Sequence, residues 1–329
     1  MIDRTITNSR VLVTGAAGFI GSNLVEHLLE HDNKVVGLDN FLTGKKENVG
    51  PFQSHPNFEF IEGDIRDAAT CNRACKGVDY VLHQAALGSV PRSIENPIMT
   101  NDVNVNGFLT LLVAARDAKV KRFVFATSSS VYGTEQRLPK VEAKIGRPLS
   151  PYAITKGVNE QYARVFTDLY GLETIGLRYF NVFGKRQDPD GAYAAAIPRF
   201  IRKLMSHESP VIHGDGTQSR DFTYIDNVVQ ANNIAALSTN PECIGEVFNV
   251  AFGESTNLNE LIDVIQELLV TFDKEIESVE VTYGPERVGD VRHSLASIVK
   301  SNTMLGYKPK DDLKTGLEKA ISWYWENLK

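Results

Sequence analysis

From Arg10 to about Arg178 the chain alternates short apolar runs with longer stretches whose apolar residues recur every three or four positions. The runs RVLVT, KVVGLD, NFEFIEG, VDYVLHQ, KRFVFAT and ETIGLRYF are nearly unbroken in apolar residues, the pattern of strands covered on both faces. Between the first two, FIGSNLVEHLLEH carries Ile20, Leu24, Leu28 and His27 or Leu29 along one stripe, which predicts an amphipathic helix. Strands and helices alternating in this order pack most simply as a parallel, doubly wound sheet with right-handed crossovers. After Asn181 the rhythm changes to a loop rich in Gly, Pro, Asp and Arg (FGKRQDPDGAYAAAIP), then to helices separated by strand-like pieces such as EVFNVA and SVEVTY. The expected organisation is a first domain over 1–180 and a smaller one over 181–329, interleaved, with an approximate boundary.

Composition narrows the partners. With 42% hydrophobic residues the chain can bury a core, and 41 acidic against 35 basic residues leave a net charge of -6. No basic stripe is visible, which argues against nucleic acid or an anionic membrane surface, so an anionic small ligand must be met by local arginines. The polar start MIDRTITNSR has no apolar signal region, and no later run approaches the about 20 residues that span a bilayer, so a cytoplasmic location is expected. Cys71, Cys75 and Cys243 are odd in number and lack the two-residue spacing of metal or redox pairs. They read as reduced packing thiols, with no metal expected, and His83 reads as a core residue ending a strand.

The first strand runs into TGAAGFIG, which places Gly15, Gly18 and Gly21 at a strand-to-helix turn. Without Cβ atoms there, backbone amides and the helix N-terminus can approach a pyrophosphate. The second strand ends in Asp39, at the distance where a carboxylate accepts hydrogen bonds from an adenosine ribose diol and repels a 2′-phosphate, so NAD is expected over NADP. Asp64 and Ile65 fit the neighbourhood of the adenine. Gln84, Ala85 and Ala86 lie where a dinucleotide would cross the carboxyl edge of the sheet. The fold class is therefore read as α/β, a Rossmann-type doubly wound parallel sheet with a smaller α/β substrate-binding domain.

Within SPYAITKGVNEQYARVF, Tyr152 and Lys156 stand four residues apart on one helix face, after a capping Ser150-Pro151 pair. A free phenol titrates near 10, so a tyrosine base at neutrality needs its pKa lowered by about three units, roughly 4 kcal/mol. An ammonium beside a positive nicotinamide ring supplies charge of the right sign. ATSSSVYG puts Thr127, Ser128, Ser129 and Ser130 at the end of the fifth strand, where a hydroxyl can relay a sugar proton to the phenolate.

TGAAGFIG, Asp39, SSSVYG, YAITK, LRYFNVFG, SRDFTYI and RVGDVRHS together resemble the extended short-chain dehydrogenase/reductases, specifically the UDP-hexose 4-epimerases, over about residues 10–325. HQAALGSVPRS and RYFNVFGKRQDPDGAYAAAIP look like the bacterial UDP-N-acetylglucosamine 4-epimerase group of surface-polysaccharide pathways. The resemblance implies Tyr152 as base, Lys156 as its electrostatic partner and nicotinamide-ribose ligand, and Ser128 as the assisting hydroxyl. It adds Phe19, Ile20, Asn40, Asn104, Thr127 and Phe180 to the cofactor set. On the substrate side it implies Gly88, Ser89, Ser128, Ser129 and Ala195 with Asn181 holding the UDP, while Arg220, Arg287 and Asp290 grip the diphosphate and the uridine ribose. Ser129 and Ser130 stand where dehydratases carry an Asp-Glu pair and decarboxylases a Glu, which leaves oxidation at C4 and its reversal. Ser294 replaces the bulky tyrosine of hexose-only relatives, leaving room for a 2-acetamido group. The implied reaction is C4 epimerisation of UDP-GlcNAc/UDP-GalNAc through a transient 4-keto sugar, in a homodimer. UDP-GlcNAcA, UDP-glucose and an inactive NAD-binding scaffold remain alternatives.

Overall fold

Val11 and Val13 turn to one side of the first strand and Leu12 to the other, and all three are fully buried, so the pleat alone places two apolar layers around one sheet. The computed structural model describes residues 4–189, 195–285 and 292–328. Strands β1 (Arg10–Thr14), β2 (Lys34–Asp39), β3 (Phe58–Glu62), β4 (Tyr80–His83), β5 (Arg122–Ser128), β6 (Thr174–Tyr179) and β7 (Val247–Val250) form a seven-stranded sheet in the order β7-β6-β5-β4-β1-β2-β3. Every pairing is parallel. The order reverses between β1 and β4, which opens a crevice outside their carboxyl ends.

Helices α1 (Phe19–Glu30), α2 (Ala68–Cys75), α3 (Phe108–Asp117), α4 (Pro151–Tyr170) and α5 (Ile225–Ala236) cover the two faces. Leu24, Leu28, Val228 and Ala235 of α1 and α5 pack on the side of Val11 and Val13. Cys71, Ala74, Leu111, Leu112, Ala163 and Phe166 of α2, α3 and α4 pack on the side of Leu12. Each buried Val, Leu or Phe among them contributes about 1.5–3 kcal/mol by leaving water. The thiols of Cys71 and Cys75 are part of this core, and burial pushes both up to about 12, so neither is a nucleophile at neutral pH.

The chain beyond Asn181 returns to the sheet. Helix α5 and strand β7 come from that half, and β7 is the EVFNVA piece, paired in register with β6 from Gly176 to Tyr179. The remainder adds helices Ala196–Met205, Leu258–Val270 and Leu313–Asn327 with short two-stranded pairs, and their Phe200, Leu261 and Leu317 join the apolar cluster of Val11 and Leu24. Asn257 starts the middle helix with a capping box closed by Glu260. Among the described residues no helix is long and apolar enough to cross a membrane.

His83 ends β4 inside the core, its Nδ1 2.7 Å from Thr14 Oγ1 and its ring against Phe108 and Phe123. Burial pushes the imidazole down to about 3. Between that value and the ordinary 6.5 the unfolded chain binds a proton that the folded one refuses. The associated stability is complete above the unfolded value and is lost as pH falls. Denaturant unfolding of the wild type and His83→Gln should therefore diverge with acid, the wild type losing roughly 3 kcal/mol more between about pH 7 and 4. Parallel pH dependences would contradict this placement.

Candidate active site

At the end of β1 the backbone turns at Gly15, whose φ of 68° favours glycine and whose amide donates to Leu38 O at 2.8 Å. A Cβ on Gly15 would lie 2.8 Å from the Ala85 amide nitrogen, and one on Gly21 would lie 2.0 Å from Gly15 O. Gly18 begins α1 with no side-chain cap. The turn is thus a cradle of bare backbone at a helix N-terminus, the arrangement that accepts phosphate. Asp39, at the end of β2, accepts from the Ala17 amide at 2.9 Å and the Phe41 amide at 2.8 Å. Burial raises its pKa and these amides oppose the rise. Arg66 grips Asp64 through Nε at 3.0 Å and Nη2 at 2.7 Å, holding that carboxyl down at about 2.

The opposite wall comes from β5 and α4. Ser150 caps α4 by accepting from the Ala153 amide at 3.1 Å, and Pro151 occupies the first turn, as the sequence predicts. That start brings Tyr152 and Lys156 over the end of β5. Lys156 is 2% exposed, and its Nζ donates to Ala126 O at 2.9 Å and lies 5.9 Å from the Tyr152 ring centroid. Burial pushes the ammonium down to about 8, and the Glu160 carboxylate opposes that. Burial raises the Tyr152 phenol, and a hydrogen bond with Ser128 works the other way. Burial therefore works against the lowered phenol that a base at neutral pH needs. Further positive charge has to come from a bound ligand.

These elements enclose a cleft of about 430 Å³. Its walls include Gly15, Gly18, Phe19, Ile20, Gly21, Asp39, Asn40, Asp64, Ile65, Gln84, Ala85, Ala86, Gly88, Thr127, Ser128, Tyr152, Lys156 and Asn181. A second cavity of about 240 Å³ meets it at Asn181 and Val182, and Ala195 and Arg220 line this one.

Residues 11–251 match the family model described as the NAD dependent epimerase/dehydratase family. The chain belongs to that family. A solved UDP-N-acetylglucosamine 4-epimerase from Methanobrevibacter ruminantium M1, in complex with UDP-N-acetylmuramic acid, is 40% identical over 98% of this chain and 99% of its own, with a TM-score of 0.90. The UDP-glucose 4-epimerase of Mycolicibacterium smegmatis is 36% identical over 96% of this chain and 98% of its own. The UDP-glucuronic acid 4-epimerase of Bacillus cereus, solved with UDP-glucuronic acid and NAD, is 32% identical over 96% of this chain and 99% of its own, with a TM-score of 0.87. These three epimerases are named for three different sugars.

As a member of the epimerase/dehydratase family the chain is an enzyme that uses NAD. Its own residues fit that cofactor: the glycine cradle leaves no space for side chains, and Asp39 keeps a carboxylate at the end of β2. Several predicted residues are not in the cleft wall. Asn104 is buried, accepting from the Leu87 amide at 2.7 Å and donating to Leu87 O at 3.1 Å, so it fixes the segment before Gly88 from behind. Phe180 is sealed against Tyr132, Ala251 and Ala296. Ser89 caps a short helix by accepting from the Arg92 amide, and Ser129 begins the turn Ser129–Tyr132. Ser294 lies outside both cavity walls, its amide bonded to Ser219 O at 3.0 Å beside Arg220. Arg287 and Asp290 lie outside the described residues.

Lys45, Arg186 and Asp188 also line the cleft, and Arg199, His213 and Gln218 line the second cavity, none of them read from the sequence. Lys45 Nζ and Asp188 Oδ1 form a 3.0 Å ion pair that joins the loop after β2 to the loop after β6. The charged run KRQD directly behind FNVFG was the available signal. The metal-like group His27, Glu30 and His31, found among the described residues, sits at the far end of α1 and lines neither cavity.

Proposed function

We propose that this NAD-dependent enzyme is a UDP-sugar 4-epimerase, and that its sugar is an N-acetylhexosamine, interconverting UDP-GlcNAc and UDP-GalNAc. The observation that carries the reading is the junction of the two cavities: Ser128, Tyr152 and Lys156 line the cleft that Asn181 shares with the arginine-bearing pocket. A nucleotide diphosphate anchored by Arg220 and Arg199 would extend its hexose past Asn181 toward the phenol. Gly15, Gly18, Gly21, Asp39 and Lys156 would hold the dinucleotide. Bound NAD supplies a hydride acceptor that can return the hydride to either face of C4. The protein's part is proton traffic: Tyr152 takes the C4 hydroxyl proton, Ser128 relays it, and the Lys156 ammonium favours the phenolate.

The acids among the cleft-lining residues are Asp39, Asp64 and Asp188, and none belongs to the strand end or helix start that carries the hydroxyls. Without an acid there, elimination across C5 and C6 has no agent, which supports epimerisation over dehydration. Arg92 donates to Gly88 O at 3.3 Å and lines a small side cavity with Leu42 and Thr43 rather than the cleft. Lys45 and Arg186 in the cleft wall are already paired with Asp188 and Glu26, so a neutral C6 suits the main cleft better than a carboxylate.

Purified protein without added cofactor, offered UDP-GlcNAc, UDP-glucose and UDP-GlcNAcA separately while anomeric proton signals are followed, should convert UDP-GlcNAc most efficiently. Ser294 lies beside Arg220, outside both walls, so the test depends on the added ring of Ser294→Tyr projecting past Arg220: kcat/KM should then fall by about 100-fold for UDP-GlcNAc and by less than about threefold for UDP-glucose. Equal losses on both sugars would remove Ser294 from the specificity argument. We also propose a cytoplasmic homodimer that pairs the exposed apolar side chains Ile98, Ile154 and Leu169 of neighbouring helices.

A further inference from the structure

Arg178 is the last but one residue of β6, with 3% of its surface exposed. Its guanidinium binds Glu160 of α4 through Nε at 2.9 Å and Nη2 at 2.7 Å, donates to Glu142 O at 3.0 Å, and lies 5.0 Å from the Tyr132 ring centroid. Glu160 also accepts from Thr127 Oγ1 at 2.7 Å. Both carboxylate oxygens are therefore committed. A buried ion pair of this kind adds little stability over apolar residues of equal volume, so its presence asks for another role. Its surroundings point to one: Glu160 follows Lys156 by one helical turn, and Thr127 precedes Ser128 at the end of β5.

We infer that Glu160 and Arg178 are positioning residues that set the charge balance of the Tyr152–Lys156 pair and, through Thr127, anchor the strand end bearing Ser128. This rests on the reading of Tyr152 as the base. Glu160 presents a carboxylate to the turn that carries the ammonium, and Arg178 fixes it through two hydrogen bonds and balances its charge. The other groups facing this turn are the Tyr152 phenol from α4, neutral His83 from β4, the Thr127 and Ser128 hydroxyls from β5, and Tyr179 from β6. Tyr132 and the Glu142 segment flank Arg178. On the far side of α4, Asp102 is held by Arg66, Arg116 by Asp117 and the Tyr170 ring, and Arg92 by Gly88 O.

Removing one partner leaves the other's charge exposed to the site. Glu160→Gln adds one net positive charge, which favours the phenolate and disfavours the ammonium, so both groups titrate lower. Arg178→Met leaves a net negative charge and moves both higher. The double variant restores neutrality.

The test is a tyrosinate-absorbance titration of the NAD-bound protein, each variant read against its own Tyr152→Phe counterpart, with the pH profile of kcat/KM on UDP-GlcNAc alongside and folding checked by thermal melting. The Tyr152 transition should move about one pH unit down in Glu160→Gln, about one up in Arg178→Met, and return in the double variant. A loss of mere scaffolding would lower the melting temperature without opposite shifts, and that result overturns the inference. If Arg178→Met does not fold, Glu160→Gln and the double variant still decide the sign. A wild type with no Tyr152 transition below the ordinary phenol value of about 10 would instead remove Tyr152 as base, and this inference with it.

Discussion

Replacing Tyr152 with Phe should lower kcat by about 10³–10⁴-fold while leaving the fold and NAD content unchanged. The ring of Tyr152 stays half-buried at the start of α4, and only the hydroxyl facing Ser128 is lost. Ser150 still caps the helix and Lys156 still donates to Ala126 O, because neither uses the phenol oxygen. The expected loss corresponds to about 4–5 kcal/mol of transition-state stabilisation, all of it from the missing proton acceptor. Single-turnover measurement on the NAD-loaded variant, beside its melting temperature, checks both halves. A fall in melting temperature of the same proportion as the fall in rate would mean that the ring supports the fold rather than the reaction.

The second large effect is expected at Gly21. It is the third residue of α1, where helix propensity alone favours alanine by about 1 kcal/mol. Sterics oppose this decisively, since the new Cβ would stand 2.0 Å from Gly15 O and 2.7 Å from Gly15 C, both rigid backbone atoms. Either α1 retreats from the turn, loosening Leu24, Val25 and Leu28, or the turn itself opens. Gly21→Ala should therefore weaken NAD binding by at least about 100-fold and lower the melting temperature by several degrees. Gly50→Ala is the control, because a Cβ there meets nothing within 4 Å. That variant should be neutral or slightly stabilised. Near-native NAD affinity in Gly21→Ala would show that the cradle is not where the cofactor's phosphates rest.

Five strands of the first half were legible because strands covered on both faces are written as nearly unbroken apolar runs, the edge strand β3 because Phe58 and Phe60 alternate with Glu59, and the glycine turn because its spacing follows directly on the first strand. The return of Val247–Val250 to the sheet was not, since nothing in EVFNVA says which strand it will pair with. Lys45 and Asp188 escaped for a related reason: each lies on a loop, and 143 residues separate partners that only the finished fold brings to 3.0 Å. Arg178 was missed despite a usable signal, because a charge inside the apolar run ETIGLRYF has to find a buried partner. Asn104 and Phe180 were read as contacts and stand behind the wall, a distinction that depends on side-chain direction rather than on position along the chain.

The most direct measurement follows one atom. UDP-GlcNAc carrying deuterium at C4, given to the purified enzyme without added NAD, should yield UDP-GalNAc with deuterium still at C4 and none at C5, at C6 or in water. Loss of the label to solvent, or a 4-keto-6-deoxy sugar as product, would contradict a closed hydride cycle at C4 driven by the Tyr152 phenol.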